Sequence, residues 1–248
     1  MSRISRAIER ADKEDGRRAD GPSIPRRERI VTAAALGRLS IPDAGEYQTL
    51  ASEIAMSLPD GPSRIITFAS SVAGEGTSTI AREFALVLAI HGAVETLLVD
   101  ANLRQPSLHE VFRVPPDPGL SDHILAGAPL SDCIRNVGVP HLSLLPAGRP
   151  VIAPPRVSGH ERVEGMLSEI RRRFRYAVLD VPPLLSFSEG IELSRRTDGI
   201  VIVIRAGRTR RQLVERSLEL LGAAGANVLG TVLNRRRFYI PQFVYERL

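Results

Sequence analysis

Ile65-Ile66-Thr67-Phe68-Ala69-Ser70-Ser71-Val72-Ala73-Gly74-Glu75-Gly76-Thr77-Ser78-Thr79-Ile80 is the stretch whose reading decides the fold. An apolar, β-prone run passes into a loop of small residues, and the loop passes into the first turn of a helix. That order belongs to a phosphate-binding loop, whose pattern is G-x-x-x-x-G-K-S/T. Ser71 holds the first small position, Gly76 the second glycine and Ser78 the hydroxyl position, while Thr77 stands where the pattern has lysine. In such a loop the backbone amides wrap a phosphate at the positive end of a helix, and glycines permit the close approach. The hydroxyl ligates Mg2+, and an acid at the end of another strand holds that metal's water shell.

Working outward, strands are expected at 65–69, 96–100, 142–145, 176–180, 200–204 and 228–233. Helices are expected at about 77–90, 162–172 and 210–224, and Gly119-Leu120-Ser121-Asp122 opens another after a Pro-rich loop. Alternation of this kind predicts an α/β fold: a mostly parallel central sheet with helices on both faces, a P-loop NTPase-like three-layer sandwich. Leu97-Leu98-Val99-Asp100 and Ala177-Val178-Leu179-Asp180 each end an apolar strand in an acid. Ligands of parallel sheets sit outside the carboxyl ends of the strands, where the loop and both acids would converge. Pro154 and Pro155 mark a loop. Upstream, residues 44–57 read as a helix leading to the turn Pro59-Asp60-Gly61-Pro62, with the globular part starting near Arg64. Residues 2–14 have the spacing of a short amphipathic helix, and 15–30 the composition of a linker. The domain reading is a charged tail at 1–43, a P-loop domain at 44–237 and a C-terminal tail at 238–248.

Composition narrows the function classes. The chain has 248 residues with 43% apolar content, enough for one large domain with a real core. Aromatic content is 4% with no Trp, so stacking on bases has little support and no nucleic-acid partner is expected. The single cysteine, Cys133, rules out an internal disulfide and fits a reducing compartment. No apolar run approaches the ~20 residues of a membrane span, and the N-terminus lacks a secretory signal. The expected location is cytoplasmic. The net charge of +5 divides as +4 over 1–40, −5 over 41–204 and +6 over 205–248, so both ends suit an acidic partner or a peripheral contact with an anionic membrane. The five histidines show no metal-ligand spacing. Lys13 is the only lysine, so Arg82 and Arg104 are the candidates to bring positive charge to the loop.

As a set the motifs resemble the cytoplasmic domain of the bacterial tyrosine kinases, the CpsD/CapB group tied to exopolysaccharide and capsule synthesis, which is related in fold to the MinD/ParA group. The family reads approximately S-S-x-x-G-E-G-K-S-T, L-L-x-D-A-D-L-R-x-P and I-D-x-P-P. The matching stretches are residues 70–79, Leu97-Leu98-Val99-Asp100-Ala101-Asn102-Leu103-Arg104-Gln105-Pro106, and Leu179-Asp180-Val181-Pro182-Pro183. Gly119-Leu120-Ser121-Asp122, Leu145-Pro146-Ala147-Gly148 and Val232-Leu233-Asn234 also match in order. The resemblance spans about 45–248.

The resemblance implies ATP or ADP with Mg2+ held by Ser71, Gly74, Glu75, Gly76, Thr77, Ser78, Thr79 and Asn234. It implies metal binding by Ser78, Asp100 and Asp180, a catalytic set of Asp100, Asn102 and Asp180, and a membrane polysaccharide co-polymerase as partner. Tyr239 and Tyr245 stand where the family has an autophosphorylated tyrosine cluster. Several departures weaken turnover or assembly. Thr77 replaces the lysine, Asn102 the second aspartate of D-x-D, and Glu46-Tyr47-Gln48-Thr49-Leu50-Ala51 carries no arginine where the family has an E-x-x-R-x-x-R ring-assembly pattern. Loss of a charge-assisted bond to phosphate costs ~1.5–3 kcal/mol of binding, and the rate should suffer more. The expectation is a catalytically impaired member with weak nucleotide binding and a weakened homo-oligomer, regulating polysaccharide chain length or export. The alternatives are an active tyrosine autokinase and a MinD/ParA-like positioning ATPase; the stretches at 119–122 and 146–148 favour the kinase group.

Overall fold

A computed structural model of the chain describes residues 44–151 and 160–235. The expected tail and linker at 1–43, the Pro154-Pro155 loop and the two tail tyrosines, Tyr239 and Tyr245, lie outside the described residues.

Among the described residues, seven strands form one sheet in the order β3-β4-β2-β5-β1-β6-β7. They are β1 (Arg64–Ser70), β2 (Thr96–Asp100), β3 (Arg135–Asn136), β4 (Leu142–Leu145), β5 (Tyr176–Asp180), β6 (Gly199–Arg205) and β7 (Val228–Asn234). Only the β3–β4 pair is antiparallel; every other pairing is parallel. The helices are α1 (Ala44–Ser57), α2 (Thr77–Ile90), α3 (Leu108–Phe112), α4 (Leu130–Cys133), α5 (His160–Arg173), α6 (Glu189–Ser194) and α7 (Arg211–Ala223). A π-helical turn covers Asp122–Ala126. The fold is the mostly parallel, helix-flanked sheet expected.

The near-continuous apolar runs of β1, β2 and β5 follow from burial on both faces. Alternate residues of one strand feed two cores. Ile66 and Phe68 point into one, with Phe84 and Ala85 of α2, Leu98, Val178 and Val203. Ile65 and Ala69 point into the other, with Leu97, Leu179, Ile202 and the α5 residues Val163, Met166 and Ile170. The rings of Phe68 and Phe84 pack with centroids 5.2 Å apart, which seats α2 directly on the loop-bearing strand.

α1 belongs to this body rather than preceding it. Ile54 and Leu58 are buried in the α2-side core, Tyr47, Leu50 and Ala51 pack against it, and Tyr47 donates to Glu83 Oε2 at 2.5 Å. A globular start near Arg64 is therefore too late. Sequence spacing showed α1 as a helix, but not that α2 offers its apolar face a partner.

Short elements were missed for a simple reason. α3, α4, α6 and β3 are two to six residues long, below the window in which periodicity can be read. The segment at 119–122 has a physical basis of its own. Leu120 N and Ser121 N donate to Pro146 O and Ala147 O at 2.8 and 2.9 Å, so the two motif stretches are bound to each other. A Cβ on Gly119 would meet Pro146 O at 2.5 Å and collide with Gly148 N, so only glycine allows that approach.

Candidate functional site

The loop between β1 and α2 lies in the interior of the sheet, where β1 is flanked by β5 and β6, at the carboxyl ends of the strands. Gly74 and Gly76 take φ of +83° and +93°, the left-handed region that glycine adopts without strain. Gly76 forms the N-cap of α2 with no side-chain capping bond. The first bond of the helical ladder runs from Ile80 N to Gly76 O at 3.1 Å. The amides of Thr77, Ser78 and Thr79 therefore precede the ladder and face out of the helix end, where the helix dipole favours an anion. Thr77 is buried, and its side chain carries no charge.

Asp100 and Asp180 are side by side in register on β2 and β5 and are both buried. Burial and the neighbouring Asp100 carboxylate push Asp180 up to about 8, against the lowering effect of a hydrogen bond with the Ser78 side chain. Asp180 Oδ2 is buried with no hydrogen-bond partner. Asp100 is also raised by burial, opposed by three backbone amides. Its Oδ2 accepts from Ser107 N and Leu108 N at 3.0 Å each, and its Oδ1 from Asn102 N at 3.3 Å. Asp100 thus caps the start of α3 as well as lining the site. Asn102 Oδ1 accepts from Gln105 N at 3.2 Å, so its side chain shapes the β2–α3 turn.

The loop is held from the β6 side. Glu75 is buried and its carboxylate turns inward: Oε2 accepts from Val72 N at 3.1 Å, and Oε1 from Arg205 N at 3.4 Å and from the Thr209 hydroxyl. Asn234, at the end of β7, donates from Nδ2 to Glu75 O at 2.8 Å, and a Cβ on Gly76 would collide with that amide. Ser71 Oγ is hydrogen-bonded to Ser217 Oγ of α7 at 2.9 Å, in a fully buried contact. Ser71, Glu75 and Asn234 therefore brace the loop with their side chains. Loop residues 74–79 present backbone, with hydroxyls carried at Thr77, Ser78 and Thr79.

The structure brings together all the expected loop residues, both strand-end aspartates, Asn102 and Asn234. It does not bring the two candidate arginines to the loop as free cations. Arg82 bonds Glu83 at 3.1 Å. Arg104 bonds Glu189 at 2.7 Å and lies 4.3 Å over the Phe187 ring, strapping the turn after β2 to the segment after β5. Sequence reading missed Thr209, Ser217 and Glu189. Each meets its partner across 85 to 146 positions of chain, with no local signal to pair them.

A buried pair of carboxylates with an unpartnered oxygen calls for a proton or a cation, and a hydroxyl stands beside it. The donor set is all oxygen, which suits Mg2+ rather than a softer metal. The residues present therefore fit a divalent cation beside a phosphate.

Sheet order, glycine loop and strand-end aspartates together are those of a P-loop NTPase-type α/β protein. The comparisons carry this further. The chain is 31% identical over 173 residues to the tyrosine-protein kinase CpsD of Streptococcus agalactiae, covering 69% of this chain and 75% of that one. The chain belongs to the bacterial tyrosine kinase family. It is also 30% identical over 187 residues to the succinoglycan biosynthesis transport protein ExoP of Rhizobium meliloti, covering 72% of this chain and 23% of that one. Among solved structures it resembles the chimerical protein CapA2B2, with a TM-score of 0.73 and 26% identity over 84% of this chain and 92% of that chain. No protein-family model matches.

Proposed function

We infer that this protein is a catalytically impaired tyrosine-kinase-like component of exopolysaccharide or capsule biosynthesis. It acts at the inner face of the membrane with a polysaccharide co-polymerase, and regulates chain length or export. Support for the pathway comes from the relatives. CpsD is a tyrosine-protein kinase by name, and ExoP is a polysaccharide transport protein in which the matched stretch is 23% of the chain. A stretch similar to this chain within a longer protein named for succinoglycan transport supports a transport partner for the domain at 44–237.

The observation that carries the impairment is Thr77. The residue at the lysine position is uncharged and buried, and the arginines nearest in the motifs are tied to Glu83 and Glu189. The amides at 74–79 would hold the phosphates of ATP or ADP. Ser78 and Asp180, with Asp100 beside them, would hold Mg2+, which supplies charge neutralisation between phosphates. Without the lysine, neutralisation falls short as a phosphoryl group moves, so binding survives weakly and turnover does not.

The test is a titration of Mg-ATP against the protein and against Thr77→Lys. The reversion is expected to tighten binding at least about tenfold, the low end of a charge-assisted bond. Equal affinity in the two proteins removes the argument from Thr77. Robust phosphotyrosine on the purified protein with Mg-ATP replaces this reading with that of an active autokinase.

A further inference from the structure

The surface around the carboxyl ends of β6 and β7 is basic and largely without acids. Arg208, Arg210 and Arg211 follow β6, Arg235 follows β7, and all four are exposed. The two strand ends are tied together. Ala206 N donates to Asn234 O at 2.9 Å, while Arg208 N and Thr209 N turn back onto Arg205 O at 3.3 and 3.1 Å. The four arginines therefore lie together at the β6–β7 edge of the sheet. Arg211 pairs with Glu215, with 88% of the arginine side chain exposed. Among the described residues, Arg208, Arg210 and Arg235 have no acidic partner. Arg171 and Arg196 elsewhere are matched by Asp198 and Glu164. The exposed Arg113 and Arg172, which have no acidic partner among the described residues, stand apart from each other, so what distinguishes this edge is the clustering of its arginines.

Two further facts concern apolar character. Leu233, two positions before Arg235, is 54% exposed. The sequence then continues Arg236-Arg237-Phe238-Tyr239-Ile240-Pro241-Gln242-Phe243-Val244-Tyr245, more arginine followed by aromatic and aliphatic residues. An acidic peptide would answer the charge alone. An anionic bilayer answers both, with headgroups for the guanidiniums and an interfacial layer for the exposed Leu233. No described helix is long and apolar enough to cross a membrane.

We propose that the rim formed by Arg208, Arg210, Arg211 and Arg235 binds anionic phospholipid headgroups directly, turning the carboxyl-end edge of the sheet toward the bilayer. An arginine close to such a surface strengthens binding roughly fivefold, so three together contribute about a hundredfold.

The experiment is co-sedimentation of the full chain with phosphatidylcholine vesicles, with and without phosphatidylglycerol. Binding is expected only to the anionic vesicles and is released by salt. The triple variant Arg208→Ala, Arg210→Ala, Arg211→Ala should weaken it about a hundredfold, while the corresponding triple lysine variant retains most of it. Arg172→Ala, exposed beyond the amino ends of the strands, should leave it unchanged. The proposal is overturned by equal binding to neutral vesicles, by wild-type binding of the triple alanine variant, or by an Arg172→Ala loss as large as that of a single rim variant. Capture of a poly-glutamate peptide with no vesicle binding would also overturn it, and would assign the rim to an acidic protein.

Discussion

Asp180→Asn should make the protein more stable in alkaline solution. Asp180 is buried beside Asp100, and its carboxyl is pushed from 3.8 to about 8, first by burial and then by Asp100. Between those values the folded protein holds a proton that the unfolded chain has released. Stability therefore falls as pH rises from the unfolded pKa to the folded one, the reverse of an ion-paired aspartate. The slope approaches about 1.4 kcal/mol per pH unit, so between pH ~5.5 and ~8.5 the wild type should lose about 2–3 kcal/mol relative to a chain without this group. Asparagine is close in shape and keeps an oxygen for the Ser78 hydroxyl. Urea unfolding of both proteins across that range, without divalent cations, gives the difference directly. The variant's advantage should grow with pH and level off above about 8. A difference that is flat with pH, or that favours the wild type more as pH rises, would refute a protonated, repelled Asp180.

Other expectations follow from the same geometry. Mg2+ competes with that proton, so millimolar MgCl2 should raise the melting temperature more at pH 8.5 than at pH 6, and Asp180→Asn should abolish the difference. Glu75→Gln replaces one inward-facing acceptor with a donor opposite Val72 N or Arg205 N; a loss of about 1–3 kcal/mol in urea unfolding is expected, and a neutral result would mean that the carboxylate does not brace the loop. Gly119→Ala must part the 119–122 segment from the loop after β4, so a loss of at least about 1–3 kcal/mol is expected, whereas Gly222→Ala, with open space around its Cβ, should be tolerated.

Much of this protein was legible in its residues. α2, β2, β4 and β5 begin and end where glycine, helical spacing and apolar runs put them. These signals are local: a loop that needs left-handed backbone demands glycine, and a strand buried on both faces must be apolar. The missing lysine at Thr77 is equally a fact of sequence, and so are family membership and the convergence of Asp100 and Asp180 that parallel topology forces.

What only the tertiary structure decided is where the side chains spend their hydrogen bonds. Glu75 reads as a ligand in a phosphate-loop motif, yet its carboxylate is used on Val72, Arg205 and Thr209. Asp100 reads as a metal acid and also caps α3. Arg82 and Arg104 read as replacements for the lysine and are tied to Glu83 and Glu189. Buried polar groups must be satisfied by whatever the fold brings near, and a partner such as Thr209, 134 positions away along the chain, leaves no mark on the local pattern. Backbone form follows from neighbours in sequence, whereas the charge and the free valences of the site follow from neighbours in space.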